Sequence, residues 1–134
     1  MGATVELPLR AQQDVVVVRQ VVRTHAVKIG LSLVDQTKFV TAASELGRNT
    51  VIHGGGGTAR LEVIQNGMRQ GIRVTFEDEG PGIADVERAM QDGYTTGGGL
   101  GLGLGGAKRL TSEFSIETAP GRGTRIAITQ WRNK

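Results

Sequence analysis

Alternating apolar and polar residues predict five short β-strands along this 134-residue chain. Residues 4–9 alternate and include Pro8, which is typical of a strand at the edge of a sheet. The segments "TARLEVIQNG" and "GIRVTFEDEG" alternate on either side of Asn66-Gly67 and predict a hairpin, with a turn that residues 68–70 can lengthen. The segments "FSIETAP" and "GTRIAITQW" predict a second hairpin around residues 120–123.

Two segments with helical periodicity lie between the first predicted strand and the first predicted hairpin. Asp14 is expected to cap a helix that runs to about Lys28 and stops at Gly30, with one apolar stripe made of Val15, Val18, Val22 and Ala26. Residues 35–53 predict a second helix, whose buried face combines Phe39, Ala43, Leu46 and Thr50. Shorter helices are expected at residues 85–91 and 107–113.

This order of elements predicts an α/β fold, a two-layer sandwich. A mixed, antiparallel-rich sheet forms one layer, and helices cover one of its faces. The length suits a single domain over residues 1–134, and no linker of low hydrophobicity divides the chain.

Composition narrows the class of protein. The net charge of +3 comes from 16 basic and 13 acidic residues that are scattered along the chain, and there is no basic block, so no nucleic-acid partner is expected. The longest aliphatic run, residues 15–18, ends at Arg19 and is far too short to cross a membrane. Without cysteine or a secretory signal, the sequence favours a cytoplasmic protein with no membrane partner.

Three polar residues lie along one line of the second predicted helix. Glu45, Asn49 and His53 are spaced four apart, beside the apolar stripe and not opposite it. One interpretation is a helix edge at which Glu45 pairs with Arg48 or another cation. The other makes Glu45 a base and the Asn49 amide oxygen a ligand for Mg²⁺.

A second candidate lies at the end of the strand before "DEGPGI". Asp78 shares its parity with three apolar residues, so its carboxylate points to the buried side and needs a donor. It is either a structural acceptor for turn amides or part of a site, in which Gly80 and Gly82 let the backbone approach a flat ligand. Thr124 also has the inward parity of its strand.

Four ordered motifs together carry a resemblance to a known family. "ELGRN" with His53, "DEGPGI", "GGLGLGLGG" and "GRGT" resemble the boxes of the GHKL ATP-binding fold, shared by histidine kinases, gyrase, Hsp90 and MutL. The spacing is most similar to that of the small anti-sigma serine kinases, in particular the switch-kinase group of bacterial stress signalling. The resemblance extends over about residues 4–131.

The glycine run fits this family better than two other nucleotide folds. A dinucleotide motif needs a strand directly before it, which "DGYTTGGG" does not form, and a P-loop needs Gly-Lys-[Ser/Thr], which Ala107 interrupts. A flexible linker would leave its leucines exposed. The interpretation is therefore that the glycines make room for a triphosphate at the start of the helix that contains Ala107.

The resemblance implies roles for individual residues. Asp78 would accept a hydrogen bond from the adenine amino group, Asn49 would hold Mg²⁺, and Glu45 would act as the general base. Arg48, beside Glu45, would contact a phosphate or the partner, or would form a surface ion pair. The residues expected around ATP are Asn49, His53, Asp78, Gly80, Gly82, Ile83, Thr95, Thr96, Gly99, Gly101, Leu102, Gly103, Leu104 and Thr124.

The resemblance also implies a protein substrate. The chain ends after the catalytic fold, and His25 and His53 are interpreted as structural or nucleotide-adjacent, so the phosphoacceptor is expected on another protein. In this family it is a serine of a STAS-domain antagonist or scaffold, and a PP2C-type phosphatase is activated after release. The alternative is an anti-sigma factor that sequesters a sigma subunit and uses ATP as a conformational latch.

Overall fold

The residues described by the computed structural model, 4–83, 90 and 103–132, form a five-stranded sheet with helices on one face. The elements are β1 (Thr4–Leu9), α1 (Gln12–Lys28), α2 (Leu33–Ile52), β2 (Gly57–Asn66), β3 (Arg69–Asp78), α3 (Gly103–Arg109), β4 (Glu113–Thr118) and β5 (Thr124–Trp131). The predicted two-layer α/β sandwich is confirmed.

The sheet has the strand order β1-β2-β3-β5-β4, and each of these neighbouring pairs is antiparallel, so the described strands form an antiparallel sheet and not the mixed one predicted. Both predicted hairpins are present. The first has Asn66 as its last paired residue, opposite Arg69, so its loop is Gly67-Met68 and lies one residue later than Asn66-Gly67. Strand β3 lies at the centre, between β2 and β5, and its last residue therefore has a neighbour on both sides.

The core lies between the sheet and the helices. The predicted stripe of α1 and the predicted buried face of α2 are both buried. Phe39 from α2 and Phe76 from β3 are the largest side chains in this core. Burial of aromatic side chains of this size supplies much of the free energy that orders the two layers.

The ends of α1 differ in part from the prediction. Ala11, not Asp14, is the N-cap of α1, and Asp14 is the third helical residue, where its Oδ2 accepts from the backbone N–H groups of Arg10 at 2.8 Å and Ala11 at 3.0 Å. The Asp14 carboxylate thus accepts from backbone N–H groups that precede the helix. The helix begins about one turn before the start that capping by Asp14 would give. Gly30 follows α1 with φ +87°, as its predicted role of helix stop requires.

The helix predicted at residues 107–113 lies four residues earlier, at α3. Leu104 and Ala107 are buried and α3 packs against α2, so tertiary contacts outweigh the poor helix propensity of its glycines. Glu113, the predicted end of that helix, already pairs with Thr129 in the sheet. The helix predicted at residues 85–91 lies outside the described residues, apart from residue 90.

Within residues 4–83, 90 and 103–132, the second face of the sheet carries polar side chains and is not covered by a helix. Arg73 Nε donates to Thr129 Oγ1 at 3.2 Å, and Arg125 lies 3.9 Å from Glu117. Thr75 and Thr129 are nevertheless buried, since long side chains on neighbouring strands lie beside them. Of the helices in the described ranges, none is long and apolar enough to cross a membrane.

Candidate functional site

Asp78 occupies the last position of β3, at the centre of the sheet edge. It lies opposite Gly57 of β2 on one side and Thr124 of β5 on the other. Its side chain continues the row of Ile72, Val74 and Phe76, which are all buried beneath the helices. The predicted parity is confirmed, and the carboxyl group is half-buried where the apolar row ends.

The Asp78 carboxylate can accept further hydrogen bonds beyond those that the protein supplies. Oδ1 accepts from the backbone N–H of Gly80 at 2.9 Å. Burial raises the pKa of the Asp78 carboxyl, and the backbone N–H groups of Gly80 and Thr124 offset part of that rise. A carboxylate has about four lone-pair positions, so two N–H groups leave it able to accept from a ligand.

Gly54 packs against the Asp78 side chain, and Gly80 packs against Gly54, more closely than any residue with a Cβ could. A Cβ at Gly54 would lie 2.6 Å from Asp78 Cβ, and a Cβ at Gly80 would lie 2.8 Å from Gly54 Cα. The surface beside the carboxyl is therefore bare backbone, which suits a flat ligand. Gly54 is not among the residues predicted for the site. The four-glycine run directly after α2 was the signal that could have identified it.

The end of α2 connects this surface to the predicted catalytic line. The carbonyl of Asn49 accepts from the N–H of His53 at 2.8 Å and from that of Gly54 at 3.2 Å. Asn49 is half-buried, and Glu45, one turn earlier, is only 4% exposed. The structure thus links Asn49 through one hydrogen bond to the glycine that packs against Asp78.

His53, Arg48 and His25 are the other candidate residues of the two helices. His53 is the exposed C-cap of α2. Arg48 Nη1 donates to Gln12 Oε1 at 3.4 Å, at the start of α1. The ring of His25 is half-buried and its Nδ1 lies 2.9 Å from the carbonyl of Val21, where it must act as the donor because the carbonyl can only accept. This contact agrees with the structural role predicted for His25.

The loop after Asp78 is bound to the β4–β5 hairpin. The N–H of Gly121 donates to the carbonyl of Pro81 at 2.6 Å, and the N–H of Ile83 donates to Thr118 Oγ1 at 2.9 Å. Gly82 has φ +77°, and a Cβ there would overlap the carbonyl of Ala119. Sequence reasoning missed Thr118, and its parity with Thr124 across the hairpin was the available signal.

The glycine-rich segment predicted to contact phosphates is described only at its end. Thr95, Thr96, Gly99, Gly101 and Leu102 lie outside the described residues. Gly103 begins α3, and the side chain of Leu104 is in the hydrophobic core, so Leu104 can offer a ligand only its backbone.

The side chains available as metal ligands limit which ion the site could hold. Among residues 4–83, 90 and 103–132, no three His, Asp or Glu side chains form a metal-binding group. Mg²⁺ commonly takes one or two protein oxygens and completes its shell with phosphates and water. The amide oxygen of Asn49 fits that kind of site, in which most ligands belong to a nucleotide.

We predict that the Asp78 titration makes stability depend on pH. Because burial raises its pKa in the folded protein above the ordinary 3.8, folding favours the protonated form. Relative to Asp78→Asn, the wild-type free energy of unfolding should fall as pH rises from below 3.8 through the raised pKa. Urea denaturation of both proteins across that range measures it. A difference that grows with pH would contradict the prediction.

We also predict that Gly54→Ala destabilises the protein by about 1–3 kcal/mol, because the new methyl group overlaps the Asp78 side chain. Gly47→Ala is the matched control. Its Cβ would make an ordinary 3.6 Å contact with Val15, and alanine in a helix should stabilise the protein by up to about 1 kcal/mol. Urea denaturation compares the two variants, and equal stabilities would refute the proposed overlap.

Known proteins share both the sequence pattern and the fold. Residues 34–133 match the model of the histidine kinase-, DNA gyrase B- and HSP90-like ATPase family. The chain is 41% identical to the serine/threonine-protein kinase RsbT of Bacillus subtilis (strain 168) over 92% of each chain. It is 31% identical to the anti-sigma F factor of Thermoanaerobacter sp. (strain X514), covering 84% of this chain and 82% of that one.

A solved structure agrees in fold. The crystal structure of the RsbU and RsbW domains of a Mycobacterium tuberculosis protein superposes with a TM-score of 0.65 at 23% identity, covering 99% of this chain and 33% of that one. The sequence boxes and these matches agree on the family. The chain belongs to the histidine kinase-, DNA gyrase B- and HSP90-like ATPase family, in the branch of RsbT-type serine/threonine kinases and anti-sigma F factors.

Proposed function

We propose that this protein binds ATP with Mg²⁺ beside Asp78 and transfers the γ-phosphoryl group to a serine or threonine of a STAS-domain protein. The observation that carries the proposal is the half-buried Asp78 carboxyl, set against bare glycine backbone and linked through Gly54 to the helix of Asn49 and Glu45. An ATP-dependent kinase needs three functions together: a group that recognises the adenine ring, a ligand for the metal ion, and a group that takes the proton of the attacking hydroxyl.

Asp78 would recognise the base. Adenine offers an amino group with two N–H donors, and the carboxylate accepts one of them. The close packing of Gly54 against Asp78, and of Gly80 against Gly54, keeps side chains away from the carboxyl, and a Cβ at either glycine would displace that arrangement. Gly82, Ile83 and Thr124 would complete this side of the pocket, since the hydrogen bonds of Thr118 hold the last two in place.

The phosphates would lie between α2 and the glycine-rich segment. Asn49 would hold Mg²⁺ with its amide oxygen, and the ion would neutralise charge on the phosphates and orient them. Thr95, Thr96, Gly99, Gly101, Leu102 and Gly103 are proposed to contact the phosphates on the grounds of the sequence resemblance. His53 and Leu104 are proposed as neighbours of the nucleotide on the same grounds.

Glu45 would take the proton of the attacking hydroxyl. Transfer forms a bond from the acceptor oxygen to the γ-phosphorus and breaks the bond to the bridging oxygen of ADP, and the hydroxyl proton passes to a base. Glu45 is one helical turn from Asn49 and only 4% exposed, which keeps water from competing for its carboxylate. Arg48 would contact a phosphate or the partner.

The names of the relatives support a regulatory protein as the partner. One is named a serine/threonine kinase and others are named anti-sigma F factors, so the branch combines phosphorylation with binding of regulatory proteins. We propose partner switching in bacterial stress signalling: the kinase rests on a STAS-domain scaffold, phosphorylates it, leaves it and activates a PP2C-type phosphatase. This cycle would take place in the cytoplasm.

The second candidate is an anti-sigma factor that holds a sigma subunit and uses ATP as a latch. The identity of 31% to an anti-sigma F factor favours it, and the higher identity of 41% to RsbT favours the switch kinase. Capture of binding partners from the native lysate, followed by mass spectrometry, separates the two. A STAS-domain scaffold supports the switch, whereas a sigma subunit supports the latch.

We predict that two variants separate nucleotide binding from transfer. Asp78→Asn should lower ATP affinity by about ten- to a hundredfold, because a charged acceptor is lost while the shape is kept. Glu45→Ala should keep ATP affinity and lower phosphoryl transfer by roughly 10²- to 10⁴-fold, because a base acts in the transition state. Calorimetry with ATP and Mg²⁺ and transfer of radiolabelled phosphate to a STAS-domain protein are the measurements.

The folded state of each variant is checked by circular dichroism. Unchanged ATP affinity in folded Asp78→Asn would make Asp78 a structural acceptor for turn amides. Wild-type transfer in Glu45→Ala would make Glu45 a buried residue without a catalytic role.

We predict that phosphorylation of the partner weakens its complex with this protein by roughly tenfold or more. The added charge of about −1.5 to −2 would face the nucleotide phosphates and Glu45, and like charges in an interface repel. Calorimetry at fixed salt compares the two partner forms. A partner with serine changed to alanine should stay tightly bound, and equal affinity for both phosphorylation states would refute switching even if transfer occurs.

A further inference from the structure

The hydroxyl group of Thr118 forms three hydrogen bonds at the closed end of the β4–β5 hairpin. Its Oγ1 lies 2.9 Å from the backbone nitrogen of Ile83, 2.9 Å from the carbonyl of Gly123 and 2.9 Å from Thr124 Oγ1. Thr118 and Thr124 are the last pair of the hairpin, directly opposite each other. Thr118 therefore connects the loop that follows Asp78 to the strand on its other side.

A count of protons fixes the direction of all three bonds. A hydroxyl group has one proton to donate and two lone pairs to accept with. The carbonyl of Gly123 can only accept, so the proton of Thr118 goes there, and the N–H of Ile83 takes one lone pair. One lone pair remains, so Thr124 must donate its own proton to Thr118.

This direction determines what Thr124 can offer a ligand. With its proton directed at Thr118, the Thr124 oxygen presents only lone pairs to the cleft. Its neighbour across the sheet is Asp78, whose carboxylate also presents only lone pairs. Asp78 and Thr124 thus form a pair of neighbouring acceptors, which favours a ligand group with two N–H donors, such as an exocyclic amino group, and repels a carbonyl oxygen at the same place.

We infer that Thr118, which does not itself face the ligand, is a specificity-determining residue that polarises Thr124 and so selects a 6-amino purine over a 6-oxo purine. The inference rests on the proposed nucleotide site. When the Thr118 hydroxyl is removed, Thr124 is free to rotate and donate, and a carbonyl oxygen at the base edge becomes acceptable. Thr118 is therefore a positioning residue that acts through Thr124.

The test compares ATP with inosine triphosphate, which carries a carbonyl oxygen in place of the adenine amino group and a hydrogen on the neighbouring ring nitrogen. Because that hydrogen is the same for every variant, the readout is the change between variants in the ratio of the two affinities. Affinities for both, with Mg²⁺, are measured by calorimetry for wild type, Thr118→Val and Thr118→Ser. Thr118→Val keeps the shape and removes the hydroxyl group, and it should lower the preference for ATP by about tenfold. Thr118→Ser keeps the hydroxyl group and should preserve the wild-type preference.

The outcomes separate this inference from the proposed function. A purely structural role would lower both affinities of Thr118→Val equally, and an unchanged ratio would overturn the inference while the nucleotide site stands. If wild type binds neither nucleotide, the proposed function fails and this inference fails with it. In a Thr124→Val background, Thr118→Val should have no further effect on the ratio, since no hydroxyl remains to polarise.

A measurement on the wild-type protein needs no variant, in case Thr118→Val does not fold. In NMR spectra the Thr118 hydroxyl proton should show coupling across its hydrogen bond to the Gly123 carbonyl carbon. The Thr124 hydroxyl proton should lie close to Thr118. A Thr118 proton directed at Thr124 would overturn the inference.

Discussion

The packing of bare backbone against the Asp78 carboxyl is the constraint on which the rest of the site depends. Gly54 at the end of α2 and Gly80 after β3 approach each other and the carboxyl so closely that a methyl group at either would overlap its neighbour. This contact joins the helical layer to the sheet at the point where β3 ends and its neighbours β2 and β5 begin. It sets the distance between the proposed catalytic line of α2 and the Asp78 carboxyl on β3, and dense packing leaves little freedom to adjust it.

Opposing effects on the charge of the Asp78 carboxyl determine its pKa. Burial makes its charge costly, while two backbone N–H groups make it tolerable, and the balance remains a raised pKa. A ligand that donates a hydrogen bond to it would shift that balance towards the charged form. Carboxyl groups with a pKa shifted in this way are common in recognition sites.

The sequence predicted those features that depend on local periodicity. The inward parity of Asp78, the alignment of Glu45 with Asn49 and the buried face of α2 follow from the two-residue and 3.6-residue repeats, and the structure confirms their positions. Gly54 and Thr118 were missed, because their roles depend on segments that are distant in sequence but meet in the fold. The bounds of α3 were wrong for the same reason, since contact with α2 rather than propensity makes residues 103–106 helical.

Helix α3 has a consequence of its own for the energetics of the domain. Three of its seven residues are glycines, and a helix this short and flexible has almost no stability in isolation. Helix α3 is therefore stabilised by packing against α2, and the free energy needed to unfold α3 locally measures the strength of this packing. Amide hydrogen exchange in α3 would act as a local gauge of how firmly the glycine-rich segment is held, separately from the global stability of the sheet.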